Sequence, residues 1–461
     1  MNFLIVLAAL VLLMFVAYRG YSVILFAPIC ALLAVLFTDP AYVLPMFSGV
    51  FMDKMVGFVK LYFPVFMLGA VFGKVIELSG FSKSIVSSII KLVGRERAML
   101  SIVLVCAVLT YGGVSLFVVV FAVYPFAAEM FRQSDIPKRL IPGTIALGAF
   151  TFTMDSLPGT PQIQNIIPTT FFKTTTWAAP WLGVIGSIFI LILGMVYLTW
   201  RRKQALAAGE GYGSDHVNEP EQFDAESLPN PYVAVLPLIL VGVLNKYFTS
   251  AIPQFFGNSI TVAIPGHPLT VDVTKLVGIW AVEGALLIGI LTVIACAFGR
   301  VRAKFAEGSK SAISGALLAS MNTASEYGFG GIISSLPGFV VVSDALKYIP
   351  NPLVNEAVTV TALAGITGSA SGGMSIALAA MSDTFIQAAN AAHIPLEVMH
   401  RVAAMASGGM DTLPHNGAVI TLLAVTGLTH KTSYKDIFMV TVIKTAAVFA
   451  VIATYYVTGI V

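Results

Sequence analysis

Residues 154–159 read MDSLPG, and residues 410–415 read MDTLPH, 256 positions later. In both, an acid precedes Leu-Pro. Proline removes an amide donor and clashes with the preceding helical turn, and glycine tolerates backbone angles that other residues avoid. Each stretch therefore reads as a break in a helix. Their setting is apolar: 57% of the 461 residues are hydrophobic and 11% are charged, against about 25% charged in soluble domains. Runs such as Phe3–Tyr18, Val23–Phe37, Pro180–Trp200 and Leu276–Phe298 approach or exceed the roughly 20 residues that span a bilayer. The chain reads as an all-α polytopic membrane protein. Non-helical backbone at membrane depth survives only where it is buried in protein or lines a wet cavity, so both breaks are expected at an internal site.

The composition excludes other classes. The net charge of +3 is spread over loops and gives no nucleic-acid footprint. Cys30, Cys106 and Cys296 all lie in apolar runs, which suits neither a disulfide framework nor a metal cluster. No cofactor is implied. The first apolar run has no basic stretch before it, which argues against a cleaved signal peptide.

Residues 201–230 form the longest polar stretch, read as a solvated cytoplasmic linker. Matching features recur in order on its two sides: Gly112–Ser115 (GGVS) with Gly372–Ser375 (GGMS), Ile136-Pro137 with Ile394-Pro395, MDSLP with MDTLP, and Phe172-Lys173-Thr174 with His430-Lys431-Thr432. Glu77 loosely pairs with Glu326. The offset stays between 256 and 260 for the first four pairs and is 249 for the glutamates, which points to duplication. The expected domains are a first repeat (1–200, hairpin about 98–131, broken helix about 140–170) and a second (231–461, hairpin about 354–390, broken helix about 401–430).

Lys and Arg concentrate in cytoplasmic loops. Placing Arg19, Arg97, Arg132, Lys138, Arg139, Arg201–Lys203, Arg300–Lys304 and Lys431 inside gives each half five crossings and one re-entrant hairpin. The flanks of the second hairpin, with Lys347 and Arg401, fall outside, as do residues 248–273. Five is odd, so the halves have opposite orientation. Inverted repeats with discontinuous helices mark secondary transporters.

The broken helices leave half-helix N-termini after Gly113, Gly159, Gly373 and Asn416. Their free amides and partial positive charge form an anion site without a buried arginine. The expected substrate-binding set is Gly112, Gly113, Ser115, Gly159, Thr160, Gln162, Gly372, Gly373, Ser375, His415 and Asn416. Asp155 and Asp411 sit at half-helix C-terminal ends, where the dipole and low dielectric favour a proton or a bound cation. They are the expected coupling groups, Asp411 foremost because His415 follows it. Each could instead cap the following half-helix.

With these features the chain resembles the gluconate permease (GntP) family of bacterial inner-membrane symporters over its whole length. The run SGGMDTLPHNGAVITLLAVTGLTHK at 407–431 looks closest to the D-beta-hydroxybutyrate permease branch. The resemblance implies proton-coupled uptake of a small hydroxy-carboxylate, a multi-pass protein of the inner membrane, a homodimer, and an ion-transporter-superfamily-like architecture. Its partners are then a small organic anion, H+ (or Na+) and lipid. A gluconate or sugar-acid symporter, a Na+-coupled carboxylate transporter, a channel and an intramembrane aspartyl protease are the alternatives.

Overall fold

In a computed structural model, residues 2–19, 21–94, 97–114, 116–214, 216, 218–220, 228–264, 268–339, 341, 349–414 and 416–461 are described. Ser115, His415 and Lys347 lie outside these residues.

The first half begins with α1 (Asn2–Tyr18), α2 (Val23–Thr38) and α3 (Met52–Leu78), the last preceded by a π-helical turn at Met46–Phe51. The shorter α4 (Phe81–Val93) follows. Next come the antiparallel pair α5 (Ala98–Tyr111) and α6 (Leu116–Gln133), then α7 (Ile141–Ala149), α8 (Ile163–Phe172) and the long α9 (Pro180–Ala207). The second half contains α10 (Pro231–Phe256), α11 (Val273–Cys296), α12 (Phe305–Ser335), the pair α13 (Pro352–Thr367) and α14 (Ala370–Ala391), then α15 (Leu396–Ser407), α16 (Gly417–Thr426) and α17 (His430–Thr458). Among the described residues, five helical stretches are long and apolar enough to cross a membrane: 40–78, α9, α10, α11 and α17.

Local chemistry sets the helix starts. Asn230 and Asn351 each precede a proline, and each side chain accepts an amide of the first turn. This joins an Asn N-cap to proline at the first helical position, where the missing N–H is no loss. The start of α17 carries a reciprocal Thr429–Thr432 capping box.

The all-α expectation needs one correction. Ser259–Val262 and Leu269–Asp272 pair as a two-stranded antiparallel ribbon. Ile260, Thr261, Val262, Thr270 and Val271 are β-branched, and such side chains suit a pleated surface. The polar stretch also differs from a free linker. Its first seven residues continue α9, and residues further along fold back onto α6. Arg139 Nε donates to Glu210 (2.6 Å) and Lys138 pairs with Glu219 at 2.8 Å. The Tyr212 amide donates to Asp135 at 2.9 Å.

Helices pack both within and between the two halves. α3 packs on α12, α2 on α12 and α11 on α3. Likewise α5 packs on α7 and α13 on α15, while α8 meets α14 and α16 meets α6. α9 lies against α17. These pairings bring both breaks into the buried interior.

Candidate functional site

The first break runs from Ala149 to Ile163, interrupted by the single turn Phe152–Asp155. Pro158 and Pro161 remove two amides, and Gly159 takes φ +79°, with the Trp177 ring filling the place of a side chain. Freed carbonyls need donors, since an unpaired buried polar group costs roughly 1–3 kcal/mol. Side chains supply them. Asn165 Nδ2 donates to the Thr160 and Thr176 carbonyls, and Asn245 Nδ2 to the Gly159 carbonyl, all within 3.0 Å. Arg401, wholly buried, donates from Nη1 to the Asp155 carbonyl (2.9 Å) and Asn165 Oδ1 (3.1 Å). Its Nε and Nη2 both reach the Ala178 carbonyl, at 3.2 and 2.7 Å.

The same logic fixes the tautomer of His400. Asn165 Nδ2 is spent on two carbonyls, so its Oδ1 can only accept. His400 Nε2, 3.2 Å away, must therefore carry the hydrogen, and Nδ1 accepts from the Thr174 hydroxyl at 2.6 Å.

The second break covers residues 408–416, between α15 and α16. Asn416 closes it. Its Oδ1 accepts from the amides of Ala418 and Val419, and its Nδ2 donates to the Gly368 carbonyl at 2.7 Å. Thr445 Oγ1 donates to the Gly409 carbonyl (2.5 Å) and Tyr434 to that of Thr412 (3.2 Å). The hydroxyls of Thr412 and Thr441 are in contact.

The breaks meet around one ammonium. Lys444, in the middle of α17 and 2% exposed, pairs with Asp411 Oδ1 at 2.5 Å and donates to the Phe150 carbonyl at 2.9 Å. It thereby touches both breaks. The Asp155 carboxyl, 2% exposed, accepts from Ser156 Oγ at 2.7 Å. Its Oδ2 occupies the place a side chain on Gly408 would take: a Cβ there would lie 2.1 Å from Oδ2 and 3.3 Å from Lys444 Nζ. Gly408 is thus the notch through which an acid of the first half reaches the second. Two acids and two bases (Asp155, Asp411, Lys444, Arg401) share one buried region, and their formal charges balance.

The hairpin tips adjoin the breaks. Gln162 Nε2 donates to the Thr110 carbonyl at 2.7 Å, Tyr111 donates to the Pro158 carbonyl at 2.9 Å, and Pro161 lies beside Gly113. Gly112 is pressed against Leu238 of α10. Asn416 reaches the other tip through Gly368.

One expectation needs correction, and the other expected residues are placed as follows. The anion site was expected to hold no buried arginine and Arg401 to lie on an outer flank; the Arg401 guanidinium is instead at the centre, because the first break's carbonyls need a multivalent donor. Gly372 and Gly373 lie inside the first turn of α14, and their amides already bond Ser369 Oγ and Ser369 O. Asn416 spends its side chain on its own helix and the tip. The Thr160 hydroxyl donates to the Thr153 carbonyl at 2.7 Å, bracing the turn. Ser375 is fully buried and its hydroxyl has no partner. Neither aspartate caps the following half-helix. Glu77 is exposed and paired with Lys74 at 2.9 Å, whereas Glu326 is buried.

The sequence reading missed Arg401, Lys444, His400 and Asn245 as site residues, and offered Asn165 only as a residue that could reach the site. One signal was available: Lys444 stands alone in the apolar run of α17, and an intramembrane ionisable residue is a functional-site candidate by default.

A fold of packed apolar helices around a buried charge cluster, with two broken helices and two helical hairpins, is that of a membrane transporter. The uncharacterized transporter YxjC of Bacillus subtilis (strain 168) is 62% identical to this chain over 472 residues, covering the whole of both proteins. The chain belongs to the same transporter family, and it is a transporter, not an enzyme. The fold is similar to the crystal structure of the Alcanivorax borkumensis YdaH transporter, which has an unusual topology. The TM-score is 0.56 at 14% identity, over 91% of this chain and 90% of that one. No family model matches the sequence.

Proposed function

We propose that this protein is a secondary active transporter that carries a small hydroxy-carboxylate, of the 3-hydroxybutyrate type, into the cell together with protons. The carrying observation is the Lys444 ammonium held between Asp411 and the Phe150 carbonyl, beside Asp155. With Arg401, and with both carboxyls ionised, the cluster is neutral. Protonating Asp411 frees Lys444 from its ion pair and leaves one uncompensated positive charge. In a buried site such a charge is unfavourable, and an incoming carboxylate restores neutrality. Proton and anion then bind cooperatively and cross together, which is symport. The hydroxyls lining the breaks (Thr412, Thr441, Thr445) would suit a hydroxylated anion.

This reading keeps the two halves, 1–200 and 231–461, as inverted repeats about a cytoplasmic linker, with re-entrant hairpins, in the bacterial inner membrane and as a homodimer. The ordered recurrence of matching motifs in the two halves favours it.

The test is uptake by proteoliposomes of labelled 3-hydroxybutyrate, gluconate, lactate and citrate, with and without an imposed proton gradient or Na+. Accumulation of 3-hydroxybutyrate on an inward proton gradient alone is the expected result. The Asp411→Asn protein should exchange substrate but not concentrate it. Accumulation driven by Na+ alone, or unaltered proton-driven accumulation by both Asp411→Asn and Asp155→Asn, would remove this assignment.

A further inference from the structure

Glu326 lies on α12, outside the aspartate–lysine cluster. It is 3% exposed, and its Oε2 has no hydrogen-bond partner. The carboxyl presses on the tip of the α13–α14 hairpin: a Cβ on Gly372 would stand 1.7 Å from Oε2 and 2.3 Å from Cδ. A helix N-terminus can support a carboxylate through free amides. Here the amides of Gly372 and Gly373 are already taken. The Gly372 amide donates to Ser369 Oγ (3.0 Å), and the Gly373 amide to the Ser369 carbonyl (2.9 Å). Ser369 is the hydrogen-bonding neighbour of the carboxyl. Nearby, Thr323 Oγ1 and Ser371 Oγ are 3.2 Å apart, and Thr323 also donates to the Ala319 carbonyl at 3.2 Å.

No cation reaches it either. α3, packed along α12, brings Lys54, whose ammonium lies 6.0 Å from the Tyr327 ring centroid, and Tyr62, whose hydroxyl is engaged with Thr170 and the Ile167 carbonyl. Asp53, Lys60, Lys74 and Glu77 are further groups of α3; Lys74 and Glu77 pair with each other. α2 brings only buried Cys30, α14 brings Asp383 three turns beyond the tip, and the turn at 46–51 brings none. Among the described residues no ion pair includes Glu326. An ionised carboxylate this deep, with an unpartnered oxygen, is strongly unfavourable, and such a group takes up a proton instead. A metal ion is disfavoured by the positive end of α14, whereas a covalently bound proton simply makes the group neutral.

We propose that Glu326 is a proton-binding site formed between α12 and the second hairpin tip, separate from the Asp155–Asp411–Lys444 cluster, and that it is protonated in the conformation described. Separation of the tip from α12 would wet the carboxyl and release the proton, so this contact couples hairpin position to protonation. The proposal goes beyond the substrate assignment and stands on substrate-free protein.

The test is infrared difference spectroscopy of purified, substrate-free protein, wild type against Glu326→Gln and Glu326→Asp, with and without Na+. A neutral carboxylic acid has a carbonyl stretch well separated from that of a carboxylate. An exposed glutamate, titrating near about 4.3, would show none at about pH 7. The expected result is a neutral-acid band at about pH 7 that vanishes in Glu326→Gln, shifts in Glu326→Asp and ignores Na+. Gly372→Ala, which displaces the carboxyl, should move the same band. No band attributable to Glu326, or one that Na+ abolishes, overturns the site. Failure of carboxylate uptake with this band present would count against the transported substrate alone.

Discussion

The two breaks share a motif but not a support. The first, at 150–162, is braced by donors from three other places in the chain: Asn165 on α8, Asn245 on α10, and His400 with Arg401 on α15. Its carbonyls are held by side chains of both halves. The second, at 408–416, relies on Asn416, on hydroxyls of α17 and on the Lys444 ion pair. The shared motif supplies the backbone interruption in both, while the braces stand at positions outside it. The result is one locked break and one whose ties include a titratable pair. A transporter needs such a difference if one side is to be frame and the other switch, because only a contact with two comparable states can be biased by a ligand.

The largest effect that would break this comparison lies at Arg401. Replacing it with Leu strips donors from the Asp155 and Ala178 carbonyls and from Asn165 Oδ1. Asn165 Oδ1 keeps His400 Nε2, so two carbonyls are left unpaired; at roughly 1–3 kcal/mol for each, several kcal/mol of stability should go, seen as the largest fall in thermal unfolding midpoint in detergent. Arg401→Lys should recover only part of it, since one ammonium cannot span three acceptors. A Leu variant as stable as wild type would mean the first break is not locked by this residue.

Lys444→Met comes next. It leaves Asp411 buried without its counter-ion, a change worth about 3–5 kcal/mol. Here the second break's dependence on charge can be isolated. The Lys444→Met/Asp411→Asn double variant should be more stable than Lys444→Met alone, and the double-mutant cycle should show coupling. Additive losses would show that Lys444 serves packing and the Phe150 carbonyl only.

A smaller contrast compares the side chains that tie each break to its hairpin tip. Asn416→Ala removes an N-cap and a tip hydrogen bond, about 1 kcal/mol each. Gln162→Ala removes only tip bonds, to the Thr110 carbonyl at 2.7 Å and a long one to the Val114 carbonyl at 3.4 Å, together about 1 kcal/mol. Asn416→Ala should therefore lower the unfolding midpoint more; equal shifts would mean the cap contributes nothing.

The smallest effect sits on the returning polar stretch. The hydrogen bond from Arg139 holds the Glu210 carboxyl below its ordinary range, against a smaller opposing effect of burial. A depressed folded value contributes stability above the unfolded value of about 4.3, lost as pH falls through the folded one. Limited proteolysis within 208–220 should therefore quicken only in acid, and Glu210→Gln should show the acid rate at neutral pH. Cleavage indifferent to both would mean this strap is not held by the pair.

Much of this was legible in one dimension. Helix lengths, the prolines of the breaks, and the Asn-Pro starts of α10 and α13 follow from local rules, because a missing amide or a capping amide acts within one turn. The interruptions at Gly112–Gly113, Gly159 and Gly368 were readable for the same reason. The ribbon at 259–272 was hidden because short β-branched runs between apolar helices carry little periodicity.

What the residues alone determined is that helices are broken twice, by the same chemistry, inside an apolar protein. What only the tertiary structure decided is which charges meet there. Asp155 fills the notch left by Gly408 beside the Lys444–Asp411 pair, and Arg401 crosses 246 positions of sequence to hold the Asp155 carbonyl. A proline acts on its own turn, so its effect is written beside it. An ion pair acts across space in a low-dielectric interior, so its partner is fixed by which helices pack together.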